Sequence, residues 1–502
     1  MDTRSPGAQD QIDEGDIPLA LPDPALCRKA RLSRDPRFDG RFVIAVVTTG
    51  IYCRPSCSVR FPREANVRYF TCAAAAQEAG YRACRRCFPA DQLMTPDTAI
   101  VSRYLQQALR LIEGGFLNEH ALPALANSLD ISERHLDRLF MRSLGVSPGA
   151  VARLRRAETA RKLLRQGELS VMAVAEHAGY QSARQLGRDM RSLFDATPSS
   201  LRRRPATGSG AQPLTLNIQL PIMPPYDFDW VFAYLQGRAL AGIETVKGHA
   251  YARRISRRGE PESWVRVRRN RIRGRDGLLA QLPLTGEPVY QLLSRLMRVF
   301  DLYADGAAIH AALQDKSVLA SWVNQAPGLR VPGAWDGFET SVRAILGQQV
   351  SVARGTELAD KMVAKYGEGD FPSPDQLLHR PIAELGMPGV RGEAISQLAQ
   401  RVLSDGVPLA EGPETERFIN GLERIPGIGP WTQNYMRLRV AKNPDAFPHN
   451  DWVVLKQLNL TPARARDLAT AWQPWRAYAL MYLWFAAAVN RAQGKWPKGG
   501  QG

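Results

Sequence analysis

Two cysteine pairs near the N-terminus constrain the fold of this chain more than any other feature. Cys53 and Cys57 form a C-x3-C pair, Cys84 and Cys87 form a C-x2-C pair, and 26 residues separate the two pairs. Short loops with this spacing present four sulfur atoms tetrahedrally to a zinc ion. The pattern therefore predicts a small zinc domain. On spacing alone a closed site that only holds the domain together is expected, and a reactive site is the alternative.

Length and charge limit the class of protein. A chain of 502 residues exceeds what one hydrophobic core usually organises, so we expect several domains. Lysine and arginine total 66 against 49 aspartate and glutamate, a net charge of +17, which favours a polyanion and above all nucleic acid. The N-terminus is acidic and polar, and no apolar run is long enough for a membrane span. We therefore expect a soluble, cytoplasmic protein.

The cellular compartment and the position of the cysteines narrow the type of metal site. In a reducing cytosol, clustered cysteines bind metal more readily than they form disulfides. Cys27 and Cys72 lie outside the two pairs and are expected to be ordinary small residues. No cysteine follows Cys87, which excludes an iron–sulfur cluster in the C-terminal half.

The segments "RFVIAVVTTGIYCRPSCSVRFPREANVRYF" and "AAQEAGYRACRRC" contain the paired cysteines. They resemble the N-terminal domain of the Ada family of DNA alkylation-repair proteins. The resemblance implies that one zinc thiolate removes the methyl group from a methylated DNA phosphate. It also implies that Cys53 is the acceptor and that Cys57, Cys84 and Cys87 complete the site around one Zn2+. Spacing alone does not select the reactive cysteine.

Charge explains how such a site would choose its substrate. Four thiolates around Zn2+ carry a net negative charge, which repels an ordinary phosphodiester but not a neutral methyl phosphotriester. Transfer of the methyl group removes one negative charge from the site. We therefore expect the methylated protein to bind DNA better than the unmethylated protein.

Two similar helical blocks follow, "LPALANSLDISERHLDRLFMRSLGVSP" and "VMAVAEHAGYQSARQLGRDMRSLFDATP". Each block predicts a helix, a short turn and a second helix. In the first block we expect Ser132 to cap the second helix and Leu136, Leu139 and Phe140 to lie on its buried face. The blocks resemble the tandem helix-turn-helix unit of AraC-type regulators, and a plain helical bundle is the alternative. The resemblance implies that exposed polar residues face the major groove or its flanking phosphates. These residues are Arg134, Arg138, Arg184, Gln185 and Arg188.

A glycine turn is the main feature of the C-terminal half. In "LERIPGIGPWTQNYMRLR", Gly427 and Gly429 allow a tight turn whose backbone amides can meet a phosphate oxygen. By itself the turn fits a helix connector or a non-enzymatic DNA clamp equally well. Asp451 follows Gly429 by 22 positions. With "WDGFETSVRAILGQQVSVA" and "QPWRAYALMYLWFAA", this arrangement resembles the AlkA class of helix-hairpin-helix alkylpurine DNA glycosylases.

The second resemblance implies one catalytic carboxylate, Asp451, beside a pocket for a flipped base. An alkylated purine is cationic and leaves readily, so one carboxylate about 4 Å from the developing sugar cation contributes on the order of 4 kcal/mol, about a thousandfold in rate. Aromatic rings stack well on a cationic base. Trp431, Tyr435 and Trp484 match the pocket aromatics of the family, and a place in the hydrophobic core is the alternative for each.

Three departures from related families add detail. Trp431 stands where bifunctional relatives have a lysine, so we expect no lyase step and an abasic product. The resemblance implies no cofactor for the glycosylase. Gln349 stands where a member of the glycosylase family has an apolar residue that wedges into the DNA stack. Wedging by this side chain is therefore in question. A glutamine can still fill the gap and hydrogen-bond an orphaned base. The chain has no Pro-Cys-His-Arg segment, so direct repair of O6-methylguanine is not expected.

Together the patterns predict a multidomain, mainly α-helical protein. The predicted parts are a disordered acidic tail (1–24), an Ada-like α+β zinc domain (25–94), an AraC-type tandem helix-turn-helix domain (96–204), a linker (205–213), an AlkA-like, TBP-like α+β module (214–300) and an all-α helix-hairpin-helix glycosylase domain (301–494). The α+β module is expected to support its neighbour rather than contact DNA.

The predicted function combines three activities. They are methyl transfer from DNA methylphosphotriesters, methylation-activated transcription and excision of alkylated purines of the 3-methyladenine type. The expected partners are double-stranded DNA and RNA polymerase, and the protein is expected to be a monomer. One alternative is a regulator with a silent glycosylase-like half. The other is an enzyme whose zinc and helix-turn-helix parts only prolong its residence on DNA.

Overall fold

The computed structural model of the chain describes residues 21–91, 103–167, 169–202, 215–255, 262–272, 275–284, 286–407 and 409–494. The predicted linker lies outside these residues, as do residues 1–20 of the predicted tail and 92–94 of the predicted zinc domain. Within them the protein is mainly helical, as predicted, with one sheet of four strands and one of five. No helix in this part of the chain is both long and apolar enough to cross a membrane.

The first unit is a four-stranded sheet with two helices. Its elements are α1 (Pro24–Leu32), β1 (Val43–Val46), β2 (Ile51–Cys53), β3 (Val67–Phe70), α2 (Ala73–Glu78) and β4 (Arg82–Ala83). Asp23 caps α1 with its side chain, so this helix begins at Pro24, inside the segment predicted as a tail. The strand order is β3-β1-β2-β4, and β4 is parallel to β2. This parallel pair brings the ends of two strands that are distant in sequence to the same edge of the sheet.

The second unit is a helical domain built from two equivalent halves. Its helices are α3 (Arg103–Glu113), α4 (Phe116–Glu119), α5 (Leu122–Ser128), α6 (Glu133–Leu144), α7 (Pro148–Gln166), α8 (Val171–His177), α9 (Ala183–Phe194) and α10 (Pro198–Leu201). Ser132 caps α6, which confirms the predicted cap, and Ser182 caps α9 in the same way. Leu136, Leu139 and Phe140 are buried, as predicted.

The third unit is an antiparallel five-stranded sheet with one helix against it. Its elements are β5 (Thr215–Pro221), α11 (Phe228–Gln236), β6 (Glu244–Lys247), β7 (Ala250–Arg254), β8 (Trp264–Ile272) and β9 (Arg275–Pro283). The strand order is β5-β9-β8-β7-β6. This unit therefore combines a β-sheet with a helix.

The last unit is all-helical. Its helices are α12 (Val289–Val299), α13 (Gly306–Leu313), α14 (Ala320–Gln325), α15 (Gly337–Leu346), α16 (Val352–Tyr366), α17 (Pro374–Leu377), α18 (Gly389–Asp405), α19 (Pro413–Asn420), α20 (Pro430–Arg439), α21 (Trp452–Leu458), α22 (Pro462–Ala469) and α23 (Arg476–Ala492). Two apolar clusters form its core, and α20 contributes Met436 to one and Leu438 to the other. Helix α20 therefore contributes side chains to both clusters.

The helix-turn-helix unit packs directly on the C-terminal half. Glu119 accepts hydrogen bonds from the Tyr290 hydroxyl at 2.8 Å and from the Gln291 amide at 2.6 Å. A Cβ atom on Gly115 would lie 2.5 Å from the Tyr290 ring, so only glycine allows this approach. One continuous apolar cluster also joins α7–α9, the five-stranded sheet and α12.

Candidate functional site

The four paired cysteines form one compact cluster. Cys53 ends β2 and Cys84 follows β4, so the parallel pairing of these strands places the two sulfur-bearing residues side by side. The ligand atoms of Cys53, Cys57, Cys84 and Cys87 all lie within 4.8 Å of one another. Tetrahedral zinc with Zn–S bonds of about 2.3 Å requires sulfurs about 3.8 Å apart. The donor set and its spacing therefore fit a zinc ion.

Burial does not identify which of these sulfurs reacts. The four cysteines are 4–7% exposed. Their thiols are hydrogen-bonded to one another, and bonds from Cys53 and then Cys87 lower the pKa of Cys57. Cys27 and Cys72 are buried elsewhere, in two different apolar clusters. The assignment of Cys53 as acceptor therefore still depends on the resemblance.

The predicted DNA-facing residues lie at equivalent places on α6 and α9. Arg134, Arg138, Arg184 and Arg188 are exposed. On each helix the two arginines are four positions apart, which places them on one face. Gln185 is half-buried, and its side-chain oxygen accepts a hydrogen bond from the backbone N–H of Gln181 at 3.3 Å. The structure thus presents two equivalent pairs of arginine side chains to solvent.

The glycine turn leads into α20, as predicted. Gly427 has a φ of +91°, which favours glycine, and Gly429 is the residue before the first helical turn. Gln348 holds the turn in place, because its amide donates to the Gly427 carbonyl at 2.7 Å and to the Thr432 hydroxyl at 2.8 Å. A short 3-10 segment, Gly421–Arg424, precedes the turn instead of a regular helix end.

Asp451 and two tryptophans form the centre of the C-terminal site. Asp451 is only 6% exposed and caps α21, with the Val454 amide donating to Oδ1 at 3.0 Å. The Trp431 indole N–H donates to Oδ2 at 2.8 Å. The Trp484 indole N–H donates to Oδ1 at 3.3 Å. Three N–H donors from three helices therefore fix the orientation of one carboxylate.

The rings of Trp431, Tyr435 and Trp484 form a half-exposed cluster beside Asp451, called the aromatic cleft below. Tyr435 stacks on Trp431, with ring centroids 5.3 Å apart, and its centroid is 6.5 Å from that of Trp484. All three rings are half-buried, whereas Asp451 is buried. The partial exposure of the rings is typical of a binding cleft rather than of a closed core.

Gln349, the residue predicted to meet the DNA stack, is not part of the aromatic cleft. It is exposed in the loop between α15 and α16 and has a φ of +53°, which is unusual for a residue other than glycine. Within the described residues no hydrogen bond or ring contact joins it to Asp451 or to the aromatic cleft.

Two residues behind the cleft were not identified from the sequence. The Tyr435 hydroxyl accepts a hydrogen bond from Arg439 at 3.1 Å and lies 3.3 Å from the Tyr234 hydroxyl. Arg439 follows Tyr435 by four positions on α20, so helical spacing could have suggested that pair. Tyr234 belongs to α11, and no local pattern connects it to the site.

Comparison with known proteins identifies the family. The chain is 36% identical over 501 aligned residues to the probable bifunctional transcriptional activator/DNA repair enzyme AlkA of Mycobacterium tuberculosis (strain H37Rv), which covers 94% of this chain and 97% of that protein. The chain belongs to this family of bifunctional Ada–AlkA proteins. Three family models match within it: the metal binding domain of Ada at residues 26–90, a helix-turn-helix domain at 125–204 and the AlkA N-terminal domain at 217–336.

Two further relatives correspond to separate parts of this Ada–AlkA chain. DNA-3-methyladenine glycosylase 2 of Escherichia coli K12 is 34% identical over 287 residues, which are 54% of this chain and 96% of that protein. The bifunctional transcriptional activator/DNA repair enzyme Ada of the same organism is 39% identical over 153 residues, 30% of this chain and 40% of that protein. The fusion expected from the sequence is therefore confirmed, and the Ada-type metal binding domain supports zinc as the ion for the four cysteines.

Proposed function

We propose that this chain detects methylated DNA phosphates, activates transcription in response and excises alkylated purines. The observation that carries the enzymatic part is the convergence of two indole N–H groups on the buried Asp451 carboxylate, beside a half-open aromatic cleft. Family membership supports the combination of regulator and repair enzyme in one chain.

In the glycosylase half, the cleft receives the flipped base. Trp431, Tyr435 and Trp484 supply π-faces for an alkylated purine, which is cationic. The bond between the sugar and the base breaks, and the departing base takes the electron pair and becomes neutral. The Asp451 carboxylate lies opposite the positive charge that develops on the sugar. Water then adds to the sugar carbon and gives up one proton, which leaves an abasic site.

The product should be an abasic site without strand cleavage. Trp431 occupies the position after the hairpin where a lysine would be needed for Schiff-base chemistry, so the proposed enzyme is monofunctional. The amides of the Gly427–Gly429 turn and the N-terminus of α20 would bind a DNA phosphate. Gln349 would occupy the gap left by the flipped nucleotide, where its amide can hydrogen-bond the orphaned base.

In the zinc half, a cysteine accepts the methyl group. Bound Zn2+ would hold Cys53, Cys57, Cys84 and Cys87 as thiolates. The Cys53 sulfur attacks the methyl carbon of a neutral phosphotriester, an S–C bond forms, and the C–O bond breaks to release the phosphodiester anion. The thioether is stable, so each molecule reacts once. The loss of one negative charge weakens repulsion from DNA phosphates.

The change in charge would strengthen promoter binding. The exposed arginines of α6 and α9 would then contact the major groove and its phosphates. As an activator the protein would contact RNA polymerase, and we propose that it acts as a monomer.

Base release from methylated duplex DNA tests the enzymatic part. Asp451→Asn keeps a side chain that can cap α21 but removes the negative charge, so the fold should be retained. We expect wild type to release 3-methyladenine and Asp451→Asn to release it about a thousandfold more slowly. Asp467→Asn changes an exposed aspartate of the same half and should behave as wild type. No release by wild type would favour the regulator with a silent glycosylase-like half.

A further inference from the structure

One side of the five-stranded sheet is covered and the other is open. Buried side chains such as Ile218 and Val265 join the apolar cluster that the sheet shares with α7–α9, α11 and α12. Because side chains alternate across a strand, the residues between these buried positions lie on the opposite side of the sheet. We call that side, which carries Asn217, Arg266 and Arg268, the outer face. These three residues are exposed.

Two rows of side chains cross the outer face, and each row contains an arginine of β8. In the first row, Arg266 lies between Ala252 of β7 and Gln281 of β9. In the second row, Arg268 lies beside Ala250 of β7. An alanine side chain is too short to cover a neighbouring guanidinium, so both arginines can be approached from solvent.

Lys247 of β6 extends the second row, because it pairs with Ala250. Lys247 is exposed, as the two arginines are. Within the described residues, none of these three cations forms a hydrogen bond or an ion pair. Neighbouring strands lie about 4.8 Å apart and residues two positions apart on a strand about 7 Å apart, so the three Cα atoms lie within about 12 Å of one another. The outer face therefore holds three unpaired cations close together.

The acidic side chains of the sheet belong to the covered side. The named strands contain two acidic residues, Glu244 and Asp276, and both alternate with outer-face positions. Glu244 pairs with Arg253 at 3.3 Å, and Asp276 pairs with Arg269 at 3.2 Å. A surface that needs only to be soluble mixes charges of both signs, whereas a field of one sign attracts a partner of the opposite sign. The outer face therefore fits an anionic partner.

The uncharged residues of the outer face favour DNA over a protein as that partner. Asn217 and Gln219 of β5 are exposed and lie in the same two rows as the arginines. Arginine, lysine, asparagine and glutamine are side chains that bind DNA phosphates and sugars. None of the exposed large hydrophobic residues of the described chain belongs to this sheet. The aromatic and aliphatic anchors that are typical of a protein–protein interface are therefore missing from the described part of this surface.

We propose that the outer face binds the phosphate backbone of duplex DNA. The contact is independent of sequence and adds to those proposed for the arginines of α6 and α9 and for the glycine turn. The sequence favoured a module that only supports its neighbour. The covered side of the sheet provides that support, and the outer face provides the DNA contact. The inference requires neither base excision nor methyl transfer, so it can fail while the proposed function stands.

The salt dependence of binding tests this contact. Fluorescence anisotropy would measure the binding of the full chain to a short undamaged duplex without a promoter sequence, from about 0.05 to 0.3 M salt. Arg266→Gln/Arg268→Gln removes two phosphate contacts at exposed positions. The slope of the logarithm of the binding constant against the logarithm of the salt concentration should become shallower by about 1.8. At about 0.15 M salt this change corresponds to binding that is about 30-fold weaker.

Arg269→Gln/Arg271→Gln is the matched control on the same strand. Both arginines are exposed and their replacement removes the same charge, but they occupy the alternate positions of β8, where Asp276 pairs with Arg269. This variant should keep the slope of wild type. Lys247→Gln changes another strand and should make the slope shallower by about 0.9, so the test does not depend on β8 alone. Thermal melting shows whether each variant is folded.

Three results would overturn the inference. The first is an unchanged slope in folded Arg266→Gln/Arg268→Gln and Lys247→Gln. The second is an equal loss of affinity in the two double variants, because net charge would then explain the effect. The third is unchanged DNA binding together with a loss of transcription activation, which would assign the outer face to an acidic protein surface instead.

Discussion

Replacement of Trp431 by phenylalanine removes one donor from Asp451 but keeps an aromatic ring in the cleft. The Trp431 indole lies 2.8 Å from Asp451 Oδ2, and the Trp484 indole lies 3.3 Å from Oδ1. A hydrogen bond to a charged group contributes about 1.5–3 kcal/mol. If Trp431→Phe loses all of this in the transition state, the rate of base release falls about 10- to 150-fold. The longer bond from Trp484 should be weaker, so Trp484→Phe should lose less.

The assay is single-turnover release of 3-methyladenine from methylated duplex DNA by the full chain. Because phenylalanine still stacks on a base, the affinity for the lesion should fall less than the rate constant. Trp322→Phe is the control, since Trp322 is a half-buried tryptophan of the same half that contacts Phe485 and not Asp451. A Trp431→Phe variant as fast as wild type would refute the idea that the indole positions the carboxylate. A larger loss in Trp484→Phe than in Trp431→Phe would refute the argument from distance.

Two other changes test the metal site and a buried ion pair. Cys57→Ser removes one of four sulfurs that lie within 4.8 Å of one another, so elemental analysis should find less zinc per chain than in wild type or in Cys27→Ser; full occupancy would contradict a four-sulfur site. Glu339→Gln breaks a buried pair with Arg253 and should lower the free energy of unfolding in urea by about 3 kcal/mol at neutral pH. Burial opposes ionisation of Glu339, but Arg253 and Arg343 outweigh it and lower its pKa below 4.5. The stabilisation by the Glu339 carboxylate is therefore complete above pH 4.5 and is lost as the pH falls through the lowered pKa. The free energies of unfolding of wild type and Glu339→Gln should become equal in acid. A difference that stays constant with pH would contradict the ion pair as its cause.

Local patterns in the chain were sufficient for much of the fold. The cysteine spacing, the Ser132 cap and the glycine turn each depend on a few neighbouring residues, so the physics that shapes them is readable from the sequence. The apolar periodicity of α6 likewise revealed its buried face. The catalytic role of Asp451, the acceptor role of Cys53 and the DNA contacts of the arginines stay predictions.

Contacts between distant segments could not be read in the same way. Trp484 follows Asp451 by 33 positions, and Arg439 follows Tyr234 by 205. Periodicity shows which face of a helix is buried but not which other element covers it, because packing partners are selected by shape and charge across the whole molecule. The same limit applies to Gly115, whose close approach to Tyr290 joins the two halves. The folded arrangement therefore supplied the orientation of the carboxylate, the charge behind Tyr435 and the packing of the regulator on the repair half.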